Sequence, residues 1–156
     1  MLKKSLISLF LLPLAVGSCT NFGKSAQEEG TAKNLSFVQA MENLEKYTSE
    51  VWIFFLESCP LCQRVLPFAK QYVEENNEGR LYFIDREILT DSQSKSLFQI
   101  LKAYFDQDDP ALEKGKLLVP SVAAINKGIP VKAQTGIGQD KNSVYDNLNI
   151  FLGLIG

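Results

Sequence analysis

The sequence predicts an α/β fold: a central mixed sheet flanked by helices on both faces. Three observations carry this. Residues 51–56 and 81–85 are dense runs of β-branched and aromatic residues, apolar on both sides, as strands covered on both faces are. Stretches with a helical apolar stripe alternate with them, the pattern of parallel crossovers. Residues 121–125 and 129–135 are joined at Asn126-Lys127-Gly128, a hairpin signal, so the last two strands run antiparallel.

Each element has its own signal. Ser36-Phe37-Val38-Gln39 fits a capping box, and Phe37, Met41 and Leu44 follow a helical stripe, giving a first helix over about 36–47. The strand at 51–56 leads into a helix from Pro60 to about Asn76, with Val65, Phe68, Ala69, Tyr72 and Val73 inward. Pro67 inside it removes a hydrogen bond and predicts a kink. Asn76-Asn77-Glu78-Gly79 ends it, and the strand 81–85 follows. Thr90-Asp91-Ser92-Gln93 is a second capping box, opening a helix with Leu97, Ile100, Leu101, Tyr104 and Phe105 on one side. Residues 106–116 read as an acidic loop broken by Pro110 and Gly115. Its Asp106, Asp108, Asp109 and Glu113 form either a solvated stretch or a rim that selects substrates. After the hairpin, residues 140–154 close the chain as a helix, with Val144, Leu148, Phe151 and Leu152 inward.

Composition removes several function classes. The chain has 156 residues and a net charge of −2, the size of one domain plus extras. Beyond the extreme N-terminus there is no Lys/Arg cluster, which argues against a nucleic-acid partner. There is no histidine, so His-based acid/base catalysis, His-activated nucleophiles and His-ligated metals are excluded. Three cysteines, Cys19, Cys59 and Cys62, are too few for a disulfide scaffold.

Cys59-Pro60-Leu61-Cys62 lies where a strand gives way to a helix. The helix N-terminus offers unpaired N–H groups and a partial positive charge that stabilise the first thiolate. The second thiol follows one turn later, close enough to close a small disulfide ring. Cys59 and Cys62 are therefore the candidate catalytic pair. Competing readings are a structural disulfide and half of a metal site, although the further ligands that zinc requires are not nearby. No metal and no cofactor is expected.

The N-terminus reads as an address. A basic Met1-Leu2-Lys3-Lys4 precedes about a dozen apolar residues, too few for a comfortable membrane span. The run ends in Val16-Gly17-Ser18-Cys19, which resembles the bacterial lipobox. That resemblance implies a signal peptide at 1–18, cleavage before Cys19 and lipidation of its sulfur. An ordinary secretory signal and an uncleaved anchor are the alternatives. Residues 19–34 are small and polar and read as a flexible tether, with room for a short edge strand near its end. Residues 35–156 form the domain.

The element order, with the motif in this place, resembles the thioredoxin superfamily over about residues 35–156. The resemblance rests on Cys59 and Cys62, on Pro67 five residues further on, on Val119-Pro120-Ser121 before the hairpin, on Gly128 at the turn and on Gly136 eight residues later. It implies a thioredoxin-like fold, a cis peptide bond at Pro120 and a client that pairs with the backbone at Val119, which makes Val119 and Pro120 the expected substrate-binding residues. Without the resemblance, Pro120 reads as a plain trans proline at a strand start. Four departures stand out. Ser58 replaces the usual tryptophan before the first cysteine, and Ile53 replaces the buried aspartate that accepts the proton of the resolving thiol. Proline comes first in the dipeptide between the cysteines, as in glutaredoxins and DsbA-like oxidants. The segment between Cys62 and Pro120 is also longer than in a minimal thioredoxin.

The expected function is that of an extracytoplasmic thiol–disulfide oxidoreductase, tethered to the cell membrane through Cys19 and acting on protein or peptide thiols and disulfides. In a Gram-negative cell, Thr20 after the lipidated cysteine favours the outer membrane. A reductase of this kind needs a membrane electron donor; an oxidase needs an oxidant. The alternative is a non-catalytic lipoprotein of the same fold that binds a client peptide, as the thioredoxin-like accessory proteins of bacteriocin export suggest, with Cys59 and Cys62 as a structural pair.

Overall fold

The computed structural model describes residues 31–156. Cys19, residues 1–18 read as a signal peptide and most of the segment read as a tether lie outside the described residues. The described part begins with β1 (Lys33–Asn34), α1 (Phe37–Glu45), β2 (Glu50–Phe55), α2 (Pro60–Asn76) and β3 (Leu81–Asp85). It continues with α3 (Asp91–Leu101), α4 (Pro110–Lys114), β4 (Ser121–Asn126), β5 (Ile129–Thr135) and α5 (Lys141–Gly153). The sheet order is β1-β3-β2-β4-β5. β1, β3 and β2 are parallel, whereas β4 runs antiparallel to β2 and β5 antiparallel to β4.

Side-chain alternation along β2 explains the two-sided core. Val51, Ile53 and Phe55 point to one face and pack with Val65, Ala69 and Val73 of α2 and Val144, Leu148 and Phe151 of α5. Trp52 and Phe54 point to the other, against Ala40 of α1, Leu97 and Leu101 of α3, and Ala111 of α4. A strand buried on both sides must be apolar at every position, as β2 is after its first residue. That first residue is the exception. Glu50 is buried, and its carboxylate accepts from Asn43 Nδ2 at 2.9 and 3.1 Å and from Trp52 Nε1 at 2.5 Å. Three N–H contacts from neutral groups stand in for water there.

The helix starts follow the capping signals. Ser36 and Gln39 close a reciprocal box at α1, and Thr90 and Gln93 do the same at α3. In the β4–β5 hairpin, Lys127 and Gly128 both have positive φ, 50° and 74°, as a tight right-twisting turn demands. Gly128 also lies against α1: a Cβ there would sit 2.2 Å from the Leu44 carbonyl oxygen.

Lys33 and Asn34, at the end of the segment read as a tether, form the short edge strand for which the sequence left room, β1, against Tyr82 and Phe83, and Leu35 after them is buried. Elsewhere the structure departs from the sequence reading. α1 ends at Glu45, and β2 begins at Glu50 and ends at Phe55, one residue earlier at each end than apolarity suggested. α3 stops at Leu101; Lys102–Tyr104 tighten into a 3₁₀ turn, and Phe105 becomes extended and bridges Ala133 of β5. Most consequentially, 106–116 is not a solvated loop throughout. Pro110–Lys114 form α4, capped by a buried Asp109. Pro110 reads as a loop breaker in sequence, yet at the first helical position its fixed φ and missing N–H are assets.

Candidate active site at the start of α2

The chain leaves β2 at Phe55 and turns through residues 56–58 into Cys59, which is the N-cap of α2 with φ −80° and ψ 120°. Its side chain takes the part that serine or aspartate plays at other helix starts: the Cys62 backbone N–H donates to Cys59 Sγ at 3.4 Å. Pro60 follows at the first helical position, where no N–H is needed. On the far side, the Cys59 thiol lies 3.9 Å from the Val119 carbonyl oxygen and donates to it. Val119-Pro120 is a cis peptide bond, and Pro120 is buried. The structure thus brings Cys59, Cys62, Val119 and Pro120 together at one end of the sheet. Both cysteines are free thiols.

The two thiols differ in their surroundings. Burial pushes the Cys59 thiol up, but the Cys62 and Leu61 amides and the Cys62 thiol favour its thiolate and outweigh burial, so Cys59 sits below the ordinary thiol value. Cys62 is fully enclosed in the apolar cluster and is pushed up to about 11, first by burial and then by its neighbour Cys59. Ile53 belongs to the same cluster and is likewise inaccessible. At position 53, where the thioredoxin resemblance implies a carboxylate, Cys62 therefore has hydrocarbon beside it. A half-buried nucleophilic thiol with a protonated, fully buried partner is the asymmetry that thiol–disulfide exchange uses.

A cavity of about 300 Å³ opens beside Cys59 and is lined by Leu61, Arg64, Val119, Pro120, Thr135 and Gly136 among others. Gly136 has φ +85°, and its N–H donates to the Pro120 carbonyl at 2.7 Å. A Cβ there would meet nothing within 4 Å, so backbone conformation, rather than crowding, selects glycine at this position. A second cavity of about 340 Å³, between Leu35, Phe55, Glu57 and Ile88, lies at the same end of the sheet. A larger cavity, about 650 Å³, adjoins Glu50, Arg80 and Tyr82 at the opposite end, and no cysteine lines it.

The sequence reading missed Arg64 and Thr135. Arg64 was within reach, because Leu61 and Arg64 are three apart on α2 and share a helix face. Thr135 carries no local signal; only the hairpin register, Ser121 opposite Thr135, brings it to the groove. Glu57 is exposed.

No protein-family model matches the sequence, and no curated protein matches it. Solved structures do. Thioredoxin f of spinach chloroplast (short form) is 17% identical, with a TM-score of 0.53 over 82% of this chain and 96% of that one. Thioredoxin f2, solved in complex with ferredoxin:thioredoxin reductase, is 16% identical, with a TM-score of 0.52 over 81% and 96%. Thioredoxin from Trypanosoma brucei brucei is 12% identical, with a TM-score of 0.52 over 83% and 96%. The chain has a thioredoxin-like fold: a mixed five-stranded sheet with helices on both faces.

Proposed function

We propose that this chain is a thiol–disulfide oxidoreductase acting on protein or peptide clients through Cys59 and Cys62. One observation carries the reading: Cys59 caps α2 with its own sulfur, next to the Val119 carbonyl, while Cys62 waits buried one turn behind. In the reducing direction, the Cys59 thiolate attacks a client disulfide. The client S–S bond breaks, and the departing thiolate takes up a proton. Cys62 then loses its proton and attacks Cys59 Sγ; the second client thiol leaves, and two electrons have passed from the dithiol to the client. The oxidising direction is the reverse. Turnover needs a membrane electron donor for reduction or an oxidant for oxidation.

The proposed location is the outer face of the cell membrane, through lipidation of Cys19 after removal of residues 1–18. The lipobox-like Val16-Gly17-Ser18-Cys19 supports this part of the reading. Three acyl chains suffice for stable anchoring, since one chain alone binds only marginally.

Substitution of single cysteines tests the chemistry. Cys62→Ser accumulates mixed disulfides with client proteins through Cys59, visible as thiol-sensitive bands on non-reducing gels, and Cys59→Ser accumulates none. Full function in vivo of the Cys59→Ser chain would sink the redox reading. It would favour the second one, a client-binding lipoprotein of the same fold, for which the hydrocarbon around Cys62 is the favouring observation.

A further inference from the structure

The segment between α3 and β4 is fastened along the outer edge of β5. Phe105 bridges Ala133, and Lys132 Nζ lies 3.3 Å from an Asp106 carboxylate oxygen. The strongest tie is Asp109. The residue is only 9% exposed, and its carboxylate accepts three hydrogen bonds: from the Ala111 N–H at 2.8 Å, the Thr135 N–H at 2.8 Å and Thr135 Oγ1 at 2.6 Å. The first caps α4. The other two hold the last residue of β5 by backbone and side chain together.

Thr135 is no ordinary strand end. It lines the cavity beside Cys59, and the next residue, Gly136, donates to the Pro120 carbonyl at 2.7 Å. The chain of contacts runs from α4 through Asp109 to Thr135, then through Gly136 to Pro120 and Val119, against which the Cys59 thiol rests. One wall of the cavity is thus held by a carboxylate from the segment between α3 and β4. Charge-assisted bonds to a buried carboxylate are the stronger kind, and a wall fixed in place keeps a bound peptide aligned with the attacking sulfur.

We propose that Asp109 is a positioning residue for the client: it clamps Thr135 and so sets the wall of the groove opposite Arg64 and Leu61. Asp109 touches neither cysteine. The proposal deepens the oxidoreductase reading and rests on it for its kinetic part. It separates two kinds of substrate. A client that lies along the groove needs the wall, whereas a small disulfide that meets only Cys59 does not.

The test uses the full chain, reduced with dithiothreitol and then freed of it, in single-turnover reactions with excess disulfide, so that the Cys59–Cys62 dithiol is the reductant. Asp109→Ser keeps an oxygen to cap α4 but is too short to hold both Thr135 donors. The half-saturating concentration of an extended peptide disulfide should rise about three- to tenfold, with the limiting rate nearly unchanged. The rate with dithiobis(nitrobenzoate), a small aromatic disulfide, should stay at the wild-type value. Amide exchange at Thr135 and Gly136 should quicken. Asp106→Asn, which removes only the exposed ion pair, should match wild type in every assay. Unchanged exchange at Thr135 and Gly136 in Asp109→Ser would overturn the clamp, as would an equal loss with peptide and small disulfide. If the wild-type chain reduces neither disulfide, the oxidoreductase reading falls, and the clamp is judged on amide exchange alone.

Discussion

Cys59 and Cys62 lie three residues apart yet sit on opposite sides of the ordinary thiol value, and the reason is local. Cys59 caps a helix and faces solvent beside Val119, while Cys62 is enclosed by hydrocarbon. Alkylation by iodoacetamide should therefore reach half its limiting rate at Cys59 below pH 9, with Cys62 protonated and unreactive until the pH nears about 11. The sign for stability follows. A thiol whose folded value lies above its unfolded one favours the fold below the unfolded value, and Cys62 loses that contribution as pH rises from about 9 through about 11. Equal reactivity of both thiols at neutral pH, read by peptide mass mapping, would contradict the geometry. Ile53 tests the same asymmetry from the other side. Ile53→Asp places a proton acceptor against Cys62 and should speed resolution of a Cys59 mixed disulfide by about a hundredfold. The same change buries a carboxyl among Val51, Val122 and Leu81 and should cost roughly 2–4 kcal/mol in urea unfolding.

At the scale of elements, the β4–β5 hairpin is held by its turn and by what the turn touches. Gly128 meets two demands at once, a φ of 74° and a close approach to the Leu44 carbonyl of α1. Gly128→Ala should destabilise the domain by about 2–4 kcal/mol, more than the φ cost alone, because the hairpin must move off α1. Gly136→Ala is the informative partner. Its φ is also positive, but the added methyl has open space, so the loss should stay near 1–2 kcal/mol. Denaturant midpoints of the two variants give the comparison, and equal losses would mean that the α1 contact carries nothing. α4 shows how an element escapes a sequence reading. Five residues are too few for a periodic stripe, and Asp109 beside Asp106 and Asp108 reads as one more surface acid. Its partners are the N–H and hydroxyl of Thr135, distant in sequence, and only the packed sheet edge brings them together.

Across the whole molecule, the sheet sorts its two faces and its two ends. α2 and α5 cover one face, and α1, α3 and α4 the other. The end where β2 gives way to α2 carries the thiols and the groove, and the opposite end carries Glu50 in its shell of N–H donors. The reduction potential of the Cys59–Cys62 couple, measured in thiol/disulfide buffers, belongs to this scale, because the whole fold sets the relative stability of dithiol and disulfide. A value near −270 mV makes the chain a reductant dependent on an electron supply, and one near −120 mV makes it a donor of disulfides. The absence of any couple would favour the client-binding reading.

The sequence by itself determined the elements that announce themselves locally. Apolar runs on both sides specify buried strands, reciprocal caps specify the starts of α1 and α3, and a cysteine pair at a strand-to-helix junction marks the candidate site, because each depends on neighbours a few residues away. The resemblance to the thioredoxin pattern implied a cis bond at Pro120, and Val119-Pro120 is cis. What only the tertiary structure decided involves partners far apart in the chain. Glu50 is buried because Asn43 and Trp52 supply its hydrogen bonds, β1 exists because β3 offers an open edge, and Asp109 is a clamp because the register of β5 delivers Thr135 to it. A polar residue carries no mark in sequence of whether water or protein will satisfy it; packing settles that, and with it the shape of the groove.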